Sequence, residues 1–159
     1  HRDLHSFPTR RSSDLRENYK KIGSKSPLNE TTQKLCQKLS SIEEKIGFYA
    51  AMRYVPPFAR DVADRMKIDE VEEVILFSMY PHYSRTTTKS SIDDFLDACA
   101  AAKYKPKIKI VDRYFDNRLY NLDVVDRIKE ALKGEDSNDF RLIFSAHGLP
   151  QRVIEKGDP

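Results

Sequence analysis

Apolar positions along the chain fall into two alternating kinds of pattern. Short unbroken or near-unbroken runs occur at 46–54 (IGFYAAMRY), 71–80 (VEEVILFSMY), 108–111 (IKIV) and 140–146 (FRLIFSA). Each is short and ends at a turn signal or polar loop, which reads as a strand. The unbroken Val74-Ile75-Leu76-Phe77 predicts a strand buried on both faces, as in a parallel sheet. Between these runs the apolar residues recur at helical spacing. Leu28, Leu35, Leu39 and Ile42 predict one helix, bordered by Cys36 and opened by Ser26-Pro27 as cap and first turn. Phe58, Val62 and Met66 predict a second helix after Pro56-Pro57. Ile92, Phe95, Leu96 and Cys99 predict a third, with Ser90-Ser91-Ile92-Asp93-Asp94 as its capping box. Leu122, Val125, Ile128 and Leu132 predict a fourth over 117–133, closed by Gly134.

Strand and helix therefore alternate as βαβαβαβ. That order predicts an α/β fold, a parallel sheet with helices on both faces arranged as a three-layer sandwich. No repeat or low-complexity segment interrupts it. Residues 1–15 (HRDLHSFPTRRSSDL) stand apart: they are rich in Arg and Ser and show no regular period. They read as a foreign leader, and the domain as residues 16–159.

Composition narrows the function. With 33% charged and 39% hydrophobic residues, the chain is in the ordinary range for a soluble globular domain. A net charge of +3 without a long basic run argues against nucleic acid as a partner. Cys36 and Cys99 form no CxxC pair and read as thiols of a reducing, cytoplasmic compartment. No apolar run reaches the ~18 residues of a transmembrane segment. Neither GxGxxG nor GxxxxGK[ST] is present. The Ser/Thr-rich loop 84–91, between a strand and a helix, suits an anion, either a phosphate or a carboxylate.

The chemistry-bearing stretch is the last, RLIFSAHGLPQRVIEKGDP. His147 follows a predicted strand, where open α/β sheets place their sites. SAHGLP followed by V-x-E-K-G-D-P resembles the ferrochelatase family, which inserts ferrous iron into porphyrins. Four further stretches carry the same resemblance in the same order: ENYKKIGSKSPL, Met52-Arg53-Tyr54-Val55, LFSMYPHYSRTTTKSS and VDRYFDN.

The resemblance implies roles residue by residue. His147 is the catalytic residue, as metal ligand or acceptor of pyrrole protons. Tyr19, Ser26, Arg53 and Tyr54 are porphyrin-binding. Fe2+ is a substrate, and the porphyrin is protoporphyrin IX or coproporphyrin III. The activity is that of a cytoplasmic lyase of haem biosynthesis. His82 reads only as a loop residue. Arg85 stands where some members carry a cluster-ligating cysteine, so no iron–sulfur cluster is expected. IGSKS replaces the commoner IGGxS, which bears on the backbone near Ser26. The family's first strand is expected before residue 16. A second domain bearing a pocket glutamate is expected beyond residue 159, so the chain alone is expected to be inactive. An uncovered sheet edge is then expected to favour self-association. Two other functions stay open: a chelatase loading cobalt or nickel into another tetrapyrrole, and a non-catalytic flavin- or phosphate-binding α/β module.

Overall fold

The computed structural model describes residues 10–21, 23–145 and 148–158, with the side chains of 10–14 and 137 left aside. The chain forms two compact units, His1–Ala50 and Ala51–Pro159.

The first unit holds α1 (Arg10–Lys21) and α2 (Leu28–Ile42). Helix α1 crosses the boundary that the sequence suggests at residue 15, and extends over the polar segment 16–21. Gly23 (φ +89) and Ser24 (φ +65) turn the chain, and Ser24 N–H donates to Tyr19 O at 2.6 Å. A left-handed serine is unfavourable where glycine is at ease. At the start of α2 Pro27, not Ser26, stands at the cap position, and Ser26 one residue before it accepts Leu28 N–H at its Oγ at 3.3 Å. The expected apolar face of α2 is not the covered one. Leu28, Leu35 and Ile42 are exposed, whereas Asn29, Thr32, Cys36 and Leu39 are half-buried. These four recur along one helical face, displaced from the leucine stripe.

Residues 46–54 are not a strand. A strand needs a partner for its backbone groups, and this segment makes only one parallel bridge, Met52 to Phe58, with Met52 N–H donating to Pro57 O at 2.8 Å.

In the second unit, α3 (Ala59–Ile68) buries Ala59, Val62, Ala63 and Met66. Asp61 accepts Phe58 N–H, satisfying one of the free donors at its start. Strand β1 (Glu73–Phe77) pairs in parallel with β2 (Lys107–Val111), in register from Glu73↔Lys107 to Phe77↔Val111. The Glu73–Lys107 pair closes an exposed ion pair at 2.7 Å. The crossover runs through a π-helical turn (Arg85–Lys89) into α4 (Ser90–Ala101). Helix α4 packs on α3 and buries Phe95 and Cys99. The crossover also stands tied to the N-terminal ends of the strands. Lys67 Nζ donates to Ala102 O at 2.7 Å, and Tyr104 Oη to Val71 O at 2.6 Å.

The architecture is thus α/β with a parallel sheet, narrower than the sequence suggests. Val74 is buried but Ile75 is 65% exposed, so β1 is covered on one face only. The expected capping box at Ser90 is also replaced. Helical structure begins at Arg85, Ser84 Oγ accepts Thr86 N–H, and Ser90 Oγ instead donates to Thr86 O and Thr87 O as a residue inside the helical run.

Helix α5 (Arg118–Leu132) starts where Asn117 Oδ1 accepts Leu119 and Tyr120 N–H. It ends at Lys133 (φ +51) and Gly134 (φ +86). Its expected inward residues divide: Ile128 and Leu132 are half-buried with Val124, while Leu122 and Val125 are exposed. A 3-10 turn (Ser137–Asp139) and α6 (Gln151–Ile154) complete the described elements. The expected strand at 140–146 is not formed over 140–145; Leu142, Ile143 and Phe144 are exposed, and among the described residues no backbone partner holds them extended.

Candidate functional site

The C-terminal ends of β1 and β2 are knitted together by their following loops. Ser78 N–H continues the ladder to Val111 O at 3.1 Å. Pro81 O accepts both Tyr114 N–H (3.0 Å) and Phe115 N–H (3.1 Å), and Tyr114 Oη donates to Met79 O. The buried Thr88 holds the first loop from behind, through Ser78 Oγ at 3.3 Å and His82 O at 3.4 Å.

On this end lies an aromatic cluster that sequence reading missed. Phe77 stacks on Tyr114 at 4.9 Å, Tyr114 meets Tyr120 edge-on at 5.1 Å, and His82 stacks on Phe115 at 5.1 Å. Arg113 lies 4.9 Å over the Tyr83 ring. Its hydrogen bonds hold the Asp112 carboxyl below the usual carboxylate range. Burial, then the nearby Tyr120, pushes the Tyr114 phenol up. The available signal was five aromatic residues within 80–83 and 114–120, too common a composition to single out.

The predicted site residues fall in different places. Arg53 and Tyr54 come together: the guanidinium lies 5.6 Å over the Tyr54 ring, which is 79% exposed. Arg53 Nη1 also reaches Asp94 Oδ1 at 3.3 Å. Near them a cavity of about 20 Å3 is lined by Met52, Arg53, Ala59, Ser91 and Asp94. It has room for a water-sized group, not a macrocycle. Tyr19 and Ser26 lie in the first unit, on either side of the Gly23-Ser24 turn; both are exposed. His147 lies outside the described residues.

A wider depression of about 520 Å3 is lined by Lys67, Glu70, Glu72, Tyr104 and Lys105 among others. It sits at the N-terminal ends of the strands, the end opposite to the one where open α/β sheets place their chemistry. Among the described residues, no group of three or more His, Cys, Asp or Glu side chains is arranged to hold a metal.

The Ser/Thr-rich loop is already engaged by an anion from the chain itself. Asp158 Oδ2 accepts the Ser84 hydroxyl at 2.6 Å, and Oδ1 accepts Arg85 N–H at 2.7 Å.

Comparison with known proteins places the chain in a family. Residues 5–159 match the ferrochelatase family. The chain is 51% identical over 150 residues to the ferrochelatase of Wolinella succinogenes, covering 94% of this chain and 48% of that protein. Against the ferrochelatase of a Nitratiruptor species it is 46% identical over 149 residues, covering 94% and 48%. That of Campylobacter concisus is 43% identical over 149 residues, covering 93% and 46%. The chain spans about half the length of these curated relatives.

Proposed function

The chain belongs to the ferrochelatase family, and from that premise we propose that it serves the insertion of ferrous iron into a porphyrin, protoporphyrin IX or coproporphyrin III. The overall change takes a divalent ion and a free-base porphyrin to metalloporphyrin and two protons, as a lyase of haem biosynthesis in the cytoplasm. The observation that carries this reading is the family match over residues 5–159.

The chemistry needs a proton acceptor, a macrocycle platform and a grip on the propionates. His147 is the proposed acceptor or first ligand, because a neutral imidazole nitrogen can take up a proton or bind a metal ion. Arg53 is the proposed propionate contact, because a guanidinium offers paired donors to a carboxylate. Tyr54, exposed and adjacent, supplies a ring for the macrocycle face. Tyr19 and Ser26 are proposed as further porphyrin contacts. Arg85 has no thiolate to offer an iron–sulfur cluster, and none is proposed.

Residues 1–15 are proposed to lie outside the functional domain; their deletion also removes the first half of α1, which starts at Arg10, and a melting temperature unchanged to within a few degrees is the expected result. Among the described residues no helix is long and apolar enough to cross a membrane. Both outer edges of the two-stranded sheet lack a strand partner there, which supports concentration-dependent self-association, readable by sedimentation.

Titration with porphyrin and, separately, with flavin mononucleotide tests the reading. A Soret shift with porphyrin and no flavin binding is the expected result. Flavin binding without a porphyrin response would favour the non-catalytic α/β module. The Asp158 carboxylate on Ser84 and Arg85 already argues against a phosphate in that loop.

A further inference from the structure

Asp158 is a carboxylate that the proposed chemistry does not use, and it is 3% exposed. An unpaired buried carboxylate is strongly unfavourable, so a folded chain keeps one only where donors meet it. Both oxygens are met. Ser84, itself 9% exposed, donates its hydroxyl, and Arg85 donates its backbone N–H. The Arg85 side chain adds a third tie, from Nη1 to Lys156 O at 2.7 Å. These contacts join positions more than seventy residues apart.

The turn that bears Asp158 is internally braced. Gly157 N–H donates to Ile154 O at 2.8 Å and Asp158 N–H to Val153 O at 3.3 Å, closing α6; Gly157 takes φ +84, a conformation that suits glycine. Val153 N–H donates to Pro150 O at 2.8 Å. Residues 150–158 therefore move as a piece, and the clamp on Asp158 fixes that piece to the loop following β1. His147 precedes Pro150 by three residues in the sequence. Three residues span about 10 Å at most, so the anchored turn limits the reach of the chain before it.

We infer that Asp158 is a positioning residue: through Ser84 and Arg85 it locks the turn that follows His147 onto the strand-end loop that bears His82 and Tyr83. The catalytic part of this inference rests on the proposed metal insertion; the clamp itself does not.

The experiment has two arms. In this chain, amide hydrogen exchange is compared for wild type, Asp158→Asn, Asp158→Ala and Ser84→Ala. Asp158→Ala is expected to speed exchange at the Arg85 amide and across 151–158 by on the order of tenfold or more, with β1 and β2 unchanged. Asp158→Asn, which keeps an oxygen acceptor, is expected to fall between. If Asp158→Ala does not fold, Ser84→Ala carries the same test, since it removes one donor and leaves the carboxylate on Arg85. Unchanged exchange at Arg85 and 151–158 in the folded variants would overturn the clamp.

In a protein of the relatives' full length that contains this chain, the expected effect of Asp158→Ala is a fall in kcat with the KM for porphyrin nearly constant. The Ser84→Ala, Asp158→Ala double variant should lose less than the two single losses combined, as for partners in one contact. Faster exchange with unchanged kcat would overturn the positioning role. An inactive wild type would count against metal insertion, while the exchange arm would still decide the clamp.

Discussion

Arg53 and Asp94 face each other at 3.3 Å, Nη1 to Oδ1, while the same guanidinium lies over Tyr54. The proposed propionate contact is therefore partly engaged by a carboxylate of α4, and an incoming carboxylate must share or displace it. Asp94→Asn removes that competing charge and is expected to tighten porphyrin binding. Partly exposed pairs are worth roughly 0.2–1 kcal/mol, so the gain is about 1.4- to fivefold in Kd. Arg53→Ala should weaken binding. Fluorescence titration of both variants checks the pair; weaker binding by Asp94→Asn would mean that Asp94 orients Arg53 rather than competing for it.

Ser24 takes φ +65 in the turn between α1 and α2. Ser24→Gly relieves a left-handed L-residue but adds freedom to the unfolded chain, leaving a net gain of about 0.5 kcal/mol. A small rise in the denaturation midpoint followed by circular dichroism is the expected result. A fall would show that the serine side chain stabilises this turn.

Tyr104 links stability to alkaline pH. Burial, and secondarily Cys99, raises its phenol above the ordinary value, and its hydroxyl donates to Val71 O. The folded state thus keeps a proton that the unfolded chain releases. This contribution is complete below the unfolded pKa of about 10 and is lost as pH rises through the folded one. Tyr104→Phe should cost about 1 kcal/mol at neutral pH and make the decline above pH 10 shallower. Urea melts from pH 8 to 11 give both numbers; an unchanged alkaline slope would remove Tyr104 as its source.

Much of the second unit was legible because local chemistry and burial agree there. Val62 and Met66 of α3, Phe95 and Cys99 of α4, and Asn117 at the start of α5 do what their spacing and type suggest. The runs at 46–54 and 140–145 mislead because an apolar run describes side chains, whereas a strand exists only through backbone pairing with a distant segment. The capping box at Ser90 misleads because Ser84 and Ser90 are both plausible caps by composition, and only the folded backbone shows that Ser84 meets a free N–H while Ser90 bonds to carbonyls of the preceding turn. No local pattern announces contacts such as Arg53 with Asp94 or Ser84 with Asp158. The resemblance supplied Arg53 and Tyr54 as a pair, and the fold added the carboxylate beside them.

The most direct test of the account is the rate of iron insertion by a protein of the relatives' full length that carries this chain. Under anaerobic conditions, Fe2+ and porphyrin are mixed with enzyme, and loss of the free-base spectrum is followed. Enzyme-dependent metallation is the expected result, abolished by His147→Ala while the melting temperature stays unchanged. The 159-residue chain alone should give no more than the uncatalysed background. Failure of the wild-type protein to metallate porphyrin, or a wild-type rate in folded His147→Ala, would contradict it.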